Sequence, residues 1–190
     1  YLPPLKNTHN DASGMAQSLE GIGFDVTLAL DATAQDMTRL LEEFAFRSEV
    51  ADLALVYYAG PGIVVQGDNF LIPVDAEVTN NRDVQRQSAS LKQLLAAVDR
   101  ARKMRIVILD SCRDNPLGDA IALDQLAEAT DTVEDTRSSG GGGMAAVDPD
   151  RGTLVAFAAR DGQVALDGNG TNSPYAQALM QKMVQPGLEI

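Results

Sequence analysis

The stretch Arg105-Ile-Val-Ile-Leu-Asp-Ser-Cys112 is the part of the sequence that decides the predicted fold. A run of aliphatic residues that stops at Asp-Ser-Cys is typical of a buried parallel strand that opens into a loop. Such a strand places Cys112, the only cysteine in the chain, at the carboxyl end of a sheet, where the ligand sites of open α/β sheets collect. A lone cysteine is more often a small buried hydrophobic residue. The polar residues on both sides of Cys112 favour a functional position instead.

Strand-like and helix-like patterns alternate along the chain, which predicts an α/β fold with a mostly parallel central sheet between two layers of helices. Strands are expected at 24–30, 53–58, 63–71 (a hairpin turned at 66–68), 105–112 and 153–158. Helices are expected from Asn10 or Asp11, from Asp31 or Thr33, at 91–102 and at 174–183. Residues 117–151 are rich in Asp, Glu, Thr, Ser and Gly, a composition that predicts a flexible linker.

Composition excludes several functions. The net charge of −12 and the absence of a Lys/Arg cluster argue against nucleic-acid binding. One cysteine and one histidine cannot form a zinc site, and no EF-hand spacing is present, so we expect no cofactor or metal. No apolar stretch reaches membrane-spanning length and no signal-peptide pattern opens the chain. We therefore expect a soluble protein with no membrane segment in this chain, and these observations do not choose between a cytoplasmic and a periplasmic location.

The segment Tyr57-Tyr-Ala-Gly-Pro-Gly62 lies where a catalytic partner for Cys112 is expected. Caspase nucleophiles have their histidine about 50 residues upstream, and Pro61 lies 51 residues before Cys112. With the surrounding motifs, the chain resembles the caspase-like cysteine peptidases of the bacterial metacaspase or orthocaspase type. The other segments that carry the resemblance are Leu5-Lys-Asn-Thr-His-Asn-Asp-Ala12, Gly23-Phe-Asp-Val, Asn69-Phe-Leu-Ile-Pro-Val-Asp75, Leu109-Asp-Ser-Cys-Arg113, Gly152-Thr-Leu-Val-Ala-Phe-Ala158 and Asn172-Ser-Pro-Tyr175.

The resemblance implies a catalytic centre with one defect. Cys112 takes the position of the nucleophile, and the backbone N–H groups of Gly62 and Cys112 take the positions of the oxyanion hole. Pro61 stands where the family has its catalytic histidine, and proline has no titratable group and no backbone N–H. His9 is the only histidine in the chain. If its segment is an extended loop, alternation would point His9 and Asp11 the same way, so it is a weak candidate for a substitute base.

The resemblance also implies a specificity pocket and a two-part domain. Asp11 and Asp110 match the aspartates that bind a basic side chain in metacaspases, although Asp11 could equally be a helix cap and Asp110 a strand-end turn residue. A bidentate grip would favour Arg over Lys. Residues 1–116 would be a large-subunit-like part that lacks its first strand, 117–151 the interdomain linker, and 152–190 an incomplete small-subunit-like part. Arg137 is then a candidate site of self-cleavage.

Three hypotheses follow from these residues. The first is a pseudo-peptidase or strongly impaired cysteine endopeptidase whose partner is a basic peptide, a basic protein or a related caspase-like chain. The second is an active Arg/Lys-specific cysteine endopeptidase that uses His9, a partner's group or solvent as its base and cleaves itself near Arg137. The third is an unrelated doubly wound domain that binds a nucleotide or acts as a receiver. The run Ser138-Ser-Gly-Gly-Gly-Gly143 does not support the third, because no Gly-Lys-Ser/Thr follows it.

Overall fold

The computed structural model describes residues 5–112, 144–145, 147–159, 170–185 and 187. The helices in these ranges are α1 (Thr8–Gly21), α2 (Ala34–Ser48), α3 (Asn81–Gln87), α4 (Leu91–Val98) and α5 (Pro174–Met183). The strands are β1 (Leu53–Val65), β2 (Asp68–Leu71), β3 (Ala89–Ser90), β4 (Met104–Cys112) and β5 (Thr153–Phe157). The fold is α/β, as the sequence predicts. None of the helices in the described ranges is long and apolar enough to cross a membrane.

The strands form one mixed sheet in the order β3-β2-β1-β4-β5. Strands β1, β4 and β5 are parallel, whereas β2 and β3 add antiparallel neighbours on one side. The register between β1 and β4 runs from Leu53 opposite Met104 to Pro61 opposite Cys112. Beyond that point β1 continues and pairs with β2. The carboxyl ends of the parallel strands therefore meet next to the start of the β1–β2 hairpin.

The hairpin between β1 and β2 turns at two of the three residues that the sequence predicts. Val65 lies opposite Asp68, so Gln66 and Gly67 form a two-residue loop. Both have positive φ, at 52° and 82°. This combination matches a type I′ turn, whose twist follows that of the strands. The turn thus fixes the register that carries β1 past Cys112.

Helices cover both faces of the parallel strands. Since side chains alternate along a strand, Val107 and Leu109 face one side, and Ile106, Ile108 and Asp110 face the other. The first face packs against α4, with apolar residues of α2 beside it. Helices α1 and α5 contact each other, and the first residue before α5 contacts Asp110, which places this pair on the second face. The expected three layers are present.

Several predicted boundaries are wrong. α1 begins at Thr8 with Asn7 in the N-cap position, not Asn10 or Asp11. α4 ends at Val98 rather than near residue 102, since the chain must turn back to enter β4 at Met104. The short helix α3 was not predicted. By contrast, α2 starts from Thr33, which forms a capping box with Asp36 as the sequence allows.

The prediction of a strand at 24–30 is also wrong. Its alternating apolar residues include Leu28 and Leu30, yet both side chains are exposed and the segment belongs to no strand. In the described part of the sheet, residues 53–59 of β1 have β4 along one edge and no strand along the other. Residues 24–30 do not pair with that edge, and without inter-strand hydrogen bonds an alternating pattern does not form a strand.

Met144 lies in the core although it falls inside the predicted linker at 117–151. Its side chain is buried in the apolar cluster under α4. The adjacent Ala145 accepts a hydrogen bond from Asn69 Nδ2 at 3.0 Å and donates one to Asn69 Oδ1 at 2.6 Å. Residues 113–143 lie outside the described ranges, and so does the candidate cleavage position Arg137.

Candidate active site

The two positions that the sequence singles out for catalysis are neighbours. Pro61 and Cys112 lie opposite each other in the parallel register of β1 and β4. The motif spacing predicts that they are associated, and the register explains how, because the two residues form the last pair of the β1–β4 ladder. Position 61 nevertheless carries a proline, which offers no base and no N–H group.

The backbone at Pro61 is held by two donors. The Ile72 N–H donates to the Pro61 carbonyl at 3.1 Å, and the Tyr58 hydroxyl approaches the same oxygen at 2.9 Å. The Tyr58 hydroxyl also lies 3.3 Å from the Ile72 carbonyl. In an antiparallel pair of this kind, that carbonyl would accept the N–H of residue 61, which proline lacks. Tyr58 thus occupies the place of the missing donor and holds β1 at residue 61.

Gly62 is placed where its N–H can face the Cys112 side of the sheet. Because Pro61 and Ile72 form a hydrogen-bonded pair, Gly62 and Leu71 form a non-hydrogen-bonded pair. The Gly62 N–H is therefore directed away from β2, toward the side on which β4 lies. A Cβ atom at this position would lie 3.0 Å from Met144 Sδ and 3.2 Å from Ser111 Oγ, so only glycine fits without displacement.

We expect Gly60→Ala to break the hydrogen bond between the Tyr58 hydroxyl and the Pro61 carbonyl. The added Cβ would lie 2.5 Å from Tyr58 Oη and 2.7 Å from Tyr58 Cζ. Tyr58 must then move, its bond to the Pro61 carbonyl is lost, and urea unfolding should show a loss of about 1–3 kcal/mol. Gly21→Ala is the control, since its Cβ would meet nothing within 4 Å. Equal stability of the two variants would contradict the role of Tyr58.

Asp11 and Asp110 come together at the start of α5. Both are buried, with exposures of 2% and 6%. Asp11 Oδ1 accepts hydrogen bonds from Asn172 Nδ2 at 2.9 Å and from the Ser173 N–H at 3.0 Å. Asp110 Oδ2 accepts hydrogen bonds from the Tyr57 hydroxyl at 2.9 Å and from Ser173 Oγ at 2.6 Å. One residue, Ser173, thus contacts both carboxylates.

Two tyrosines, Tyr57 and Tyr175, lie close enough to Asp110 to be affected by its charge. Burial first, and then the charge and hydrogen bond of Asp110, raise the pKa of Tyr57 well above its ordinary value, with a further contribution from Asp11. Burial and then the charge of Asp110 raise the pKa of Tyr175 to about 12. Both phenols are therefore neutral at physiological pH, and Tyr57 donates its hydrogen bond to Asp110 in this form.

Alkaline titration is expected to show these phenols ionising late. Tyr57, Tyr58 and Tyr175 all have a pKa above the ordinary tyrosine value of about 10, with burial as the first cause. Their stabilising contribution is fully present below about pH 10 and is lost as the pH rises through the folded-state pKa values. Of the four tyrosines in the chain, these three should therefore form phenolate only together with unfolding, whereas reversible ionisation of more than one tyrosine near pH 10 in the folded protein would contradict the burial of these groups.

Asp11 does not cap α1. It lies inside the first turn, its N–H donates to the Asn7 carbonyl at 2.9 Å, and its carboxylate contacts the segment before α5. The expectation that His9 shares its side is also wrong, because residues two apart in a helix point about 200° apart. His9 is 55% exposed, and its Nε2 lies 2.6 Å from Asp31 Oδ1.

Sequence reasoning missed Asn172 and Ser173 as residues of this site. Ser173 precedes Pro174, and its hydroxyl accepts a hydrogen bond from the Ala176 N–H, which is the helix start that Ser-Pro predicts. The local sequence explains the hydroxyl fully as a helix cap and gives no indication that it also contacts Asp110. Residues 160–169, which connect β5 to this segment, lie outside the described ranges.

The chain is similar to known proteins in sequence and in fold. The family model described as the caspase domain matches residues 1–190. Over 112 residues the chain is 28% identical to mucosa-associated lymphoid tissue lymphoma translocation protein 1 of Homo sapiens and, equally, to its homolog in Mus musculus. Each match covers 58% of this chain and 13% of the relative. The chain therefore corresponds to a small part of those proteins.

A solved structure has the same fold. The crystal structure of caspase-1 from Spodoptera frugiperda matches with a TM-score of 0.55 and 15% sequence identity. The match covers 96% of this chain and 62% of that chain. At this identity the likeness concerns the fold alone, which is a caspase-like arrangement of the sheet and its helices.

Proposed function

Because this chain belongs to the caspase-domain family of peptidases, we propose that it is a pseudo-peptidase, or a strongly impaired cysteine endopeptidase, that binds basic peptides. The observation that carries the proposal is the register of Pro61 opposite Cys112. This geometry supports Pro61 as the residue in the position of the general base. The metacaspase or orthocaspase subtype, suggested by the motifs, belongs to the same proposal, as does the division into two subunit-like parts.

The chemistry explains why the proline matters. A cysteine peptidase needs a thiolate nucleophile, a base that forms it and later protonates the leaving amine, and donors for the oxyanion. Without a base, a thiol of ordinary pKa, about 8.5, is only a few per cent thiolate at neutral pH. General acid–base assistance contributes roughly 10²- to 10⁴-fold. The remaining parts, Cys112 and the N–H of Gly62, suffice for reaction with a strong electrophile but not for rapid amide hydrolysis.

The acidic pocket supports a basic ligand. Asp11 and Asp110 are buried together beside the neutral phenols of Tyr57 and Tyr175. Two carboxylates with neutral donors around them form a site suited to a cationic side chain, and the planar fork of guanidinium suits it better than ammonium. We therefore infer that Arg is preferred to Lys in the residue that enters the pocket.

The alternative is an active Arg/Lys-specific endopeptidase that cleaves itself near Arg137. It needs another base, and His9, the only histidine, is exposed and bound to Asp31. This observation favours the impaired form of the site.

Labelling of Cys112 by peptide chloromethyl ketones tests the proposal. The thiolate displaces chloride, and intact-mass analysis counts the adducts on the only cysteine in the chain. We expect a probe with Arg next to the reactive group to label faster than the same probe with citrulline, and both to fail on Cys112→Ala. Iodoacetamide, which has no side chain to recognise, normalises the reactivity of the thiol. Equal rates for the Arg and citrulline probes would remove the basic pocket from the proposal.

Turnover of Arg- and Lys-terminated amide substrates distinguishes the impaired site from the active endopeptidase. We expect no Cys112-dependent hydrolysis by the unmodified chain and no cut at Arg137. Either activity, if it is lost in Cys112→Ala, would establish the active endopeptidase instead.

A further inference from the structure

We propose that Ser173 is the positioning residue of the acidic pocket, and that the pocket is assembled only while the N-terminus of α5 is docked against α1 and β4. The inference rests on the proposed function, because it concerns how the same pocket is built and controlled. It assigns a role in ligand recognition to a residue that local sequence identifies only as a helix cap.

Ser173 joins carboxylates from two separate elements. Its N–H donates to Asp11 Oδ1 of α1 at 3.0 Å, and its hydroxyl donates to Asp110 Oδ2 of β4 at 2.6 Å. The residue is 3% exposed, so both bonds are made away from solvent. Hydrogen bonds to ionised groups are shorter and stronger than neutral ones. Ser173 therefore determines the relative placement of the two acids.

The same hydroxyl caps α5. It accepts a hydrogen bond from the Ala176 N–H at 3.0 Å while it donates to Asp110. Both roles are compatible, because a hydroxyl has one donor and two acceptor lone pairs. The Ser173 Oγ atom is therefore part of both the start of α5 and the pocket. Displacement of the helix start would break its contact with Asp110.

The residues before Ser173 tie the same segment to α1. Asn172 Nδ2 donates to Asp11 Oδ1 at 2.9 Å, and Asn10 Nδ2 donates to the Thr171 carbonyl at 2.9 Å. The first bond reaches a pocket carboxylate, whereas the second reaches only backbone. This difference provides a matched pair of variants.

Electrostatics links docking to ligand binding. Two carboxylates held together repel each other, and the donors at the start of α5, with the partial positive charge of its N-terminus, reduce that repulsion. A cationic side chain in the pocket would reduce it further. Because coupling is reciprocal, docking of α5 raises the affinity for the cation, and the cation stabilises the docked helix.

The test compares the affinity of the full chain for a peptide ending in Arg and for the same peptide ending in citrulline, a neutral isostere, by calorimetry. Ser173→Ala is expected to weaken binding of the Arg peptide about tenfold or more, since a hydrogen bond to a charged group is lost. Binding of the citrulline peptide should be nearly unchanged. Ser173→Thr keeps the hydroxyl and should restore the preference for Arg.

Ser90→Ala is the control for loss of a helix cap alone. Ser90 caps α4 by accepting the Gln93 N–H, as Ser173 caps α5, and it contacts neither acid in the described structure. It should lower the Tm without changing the Arg-to-citrulline ratio. If Ser173→Ala does not fold, Asn172→Ala against Asn10→Ala provides the same comparison, with a reduced ratio expected only for Asn172→Ala.

Each outcome is informative. An unchanged Arg-to-citrulline ratio in Ser173→Ala, or in Asn172→Ala where that pair is used, would show that the segment only starts the helix, and would overturn the positioning role while leaving the pocket intact. Equal affinity of the unmodified chain for both peptides would instead reject the basic pocket of the proposed function, and the positioning role with it.

Discussion

Pro61→His is expected to produce Cys112-dependent hydrolysis of Arg-terminated peptides, at a rate roughly 10²- to 10⁴-fold above that of the unmodified chain. The imidazole would stand opposite Cys112 in the register of β1 and β4. The substitution also suits the backbone, because the new N–H at residue 61 gains the Ile72 carbonyl as its partner in a hydrogen-bonded pair. Turnover of a fluorogenic peptide amide measures the effect.

Pro61→Ala is the matched control for this experiment. It supplies the same backbone N–H without a base, so any gain that it shares with Pro61→His comes from the backbone and not from the imidazole. The double variant Pro61→His, Cys112→Ala should be inactive. If Pro61→His is no more active than Pro61→Ala, the site lacks more than its base, and the chain is better described as a binding module.

Asp110→Ala is expected to abolish the preference for Arg, with a loss of at least about 100-fold in the rate of labelling by the Arg chloromethyl ketone. Asp110 is buried and accepts hydrogen bonds from Tyr57 and Ser173, so its removal takes away both the charge and the acceptor that orders the pocket. Labelling by the citrulline probe should change much less.

Two further variants separate charge from folding. Asp110→Asn keeps an acceptor for Tyr57 and Ser173 but removes the charge, so it should retain stability and still lose the preference for Arg. Asp52→Ala removes one charge far from the pocket, from an exposed carboxylate that binds Lys103 at the amino end of the sheet. If Asp52→Ala lowers Arg labelling as much as Asp110→Asn does, the effect reflects the net charge of −12 rather than a pocket.

Elements with strong local signals were predictable. β4 follows from an aliphatic run, the start of α2 from an N-cap residue at Thr33, and the β1–β2 hairpin from Gln66 and Gly67. In each case residues close in sequence provide the hydrogen bonds or the turn geometry. Boundaries that depend on distant neighbours were wrong, as at 24–30, where the alternating pattern is present but no strand lies alongside in the described structure.

The residues of the candidate site were likewise predictable only in part. The sequence by itself determined the α/β fold class and the spacing that associates Pro61 with Cys112, and its resemblance to metacaspases indicated Asp11 and Asp110 as acids of interest. Only the tertiary structure brought Asn172 and Ser173 to those acids, across separations of 161, 162 and 63 residues. The physical reason is that periodicity and capping act within a few residues, whereas a pocket is formed by side chains that meet only when the sheet and its covering helices pack together.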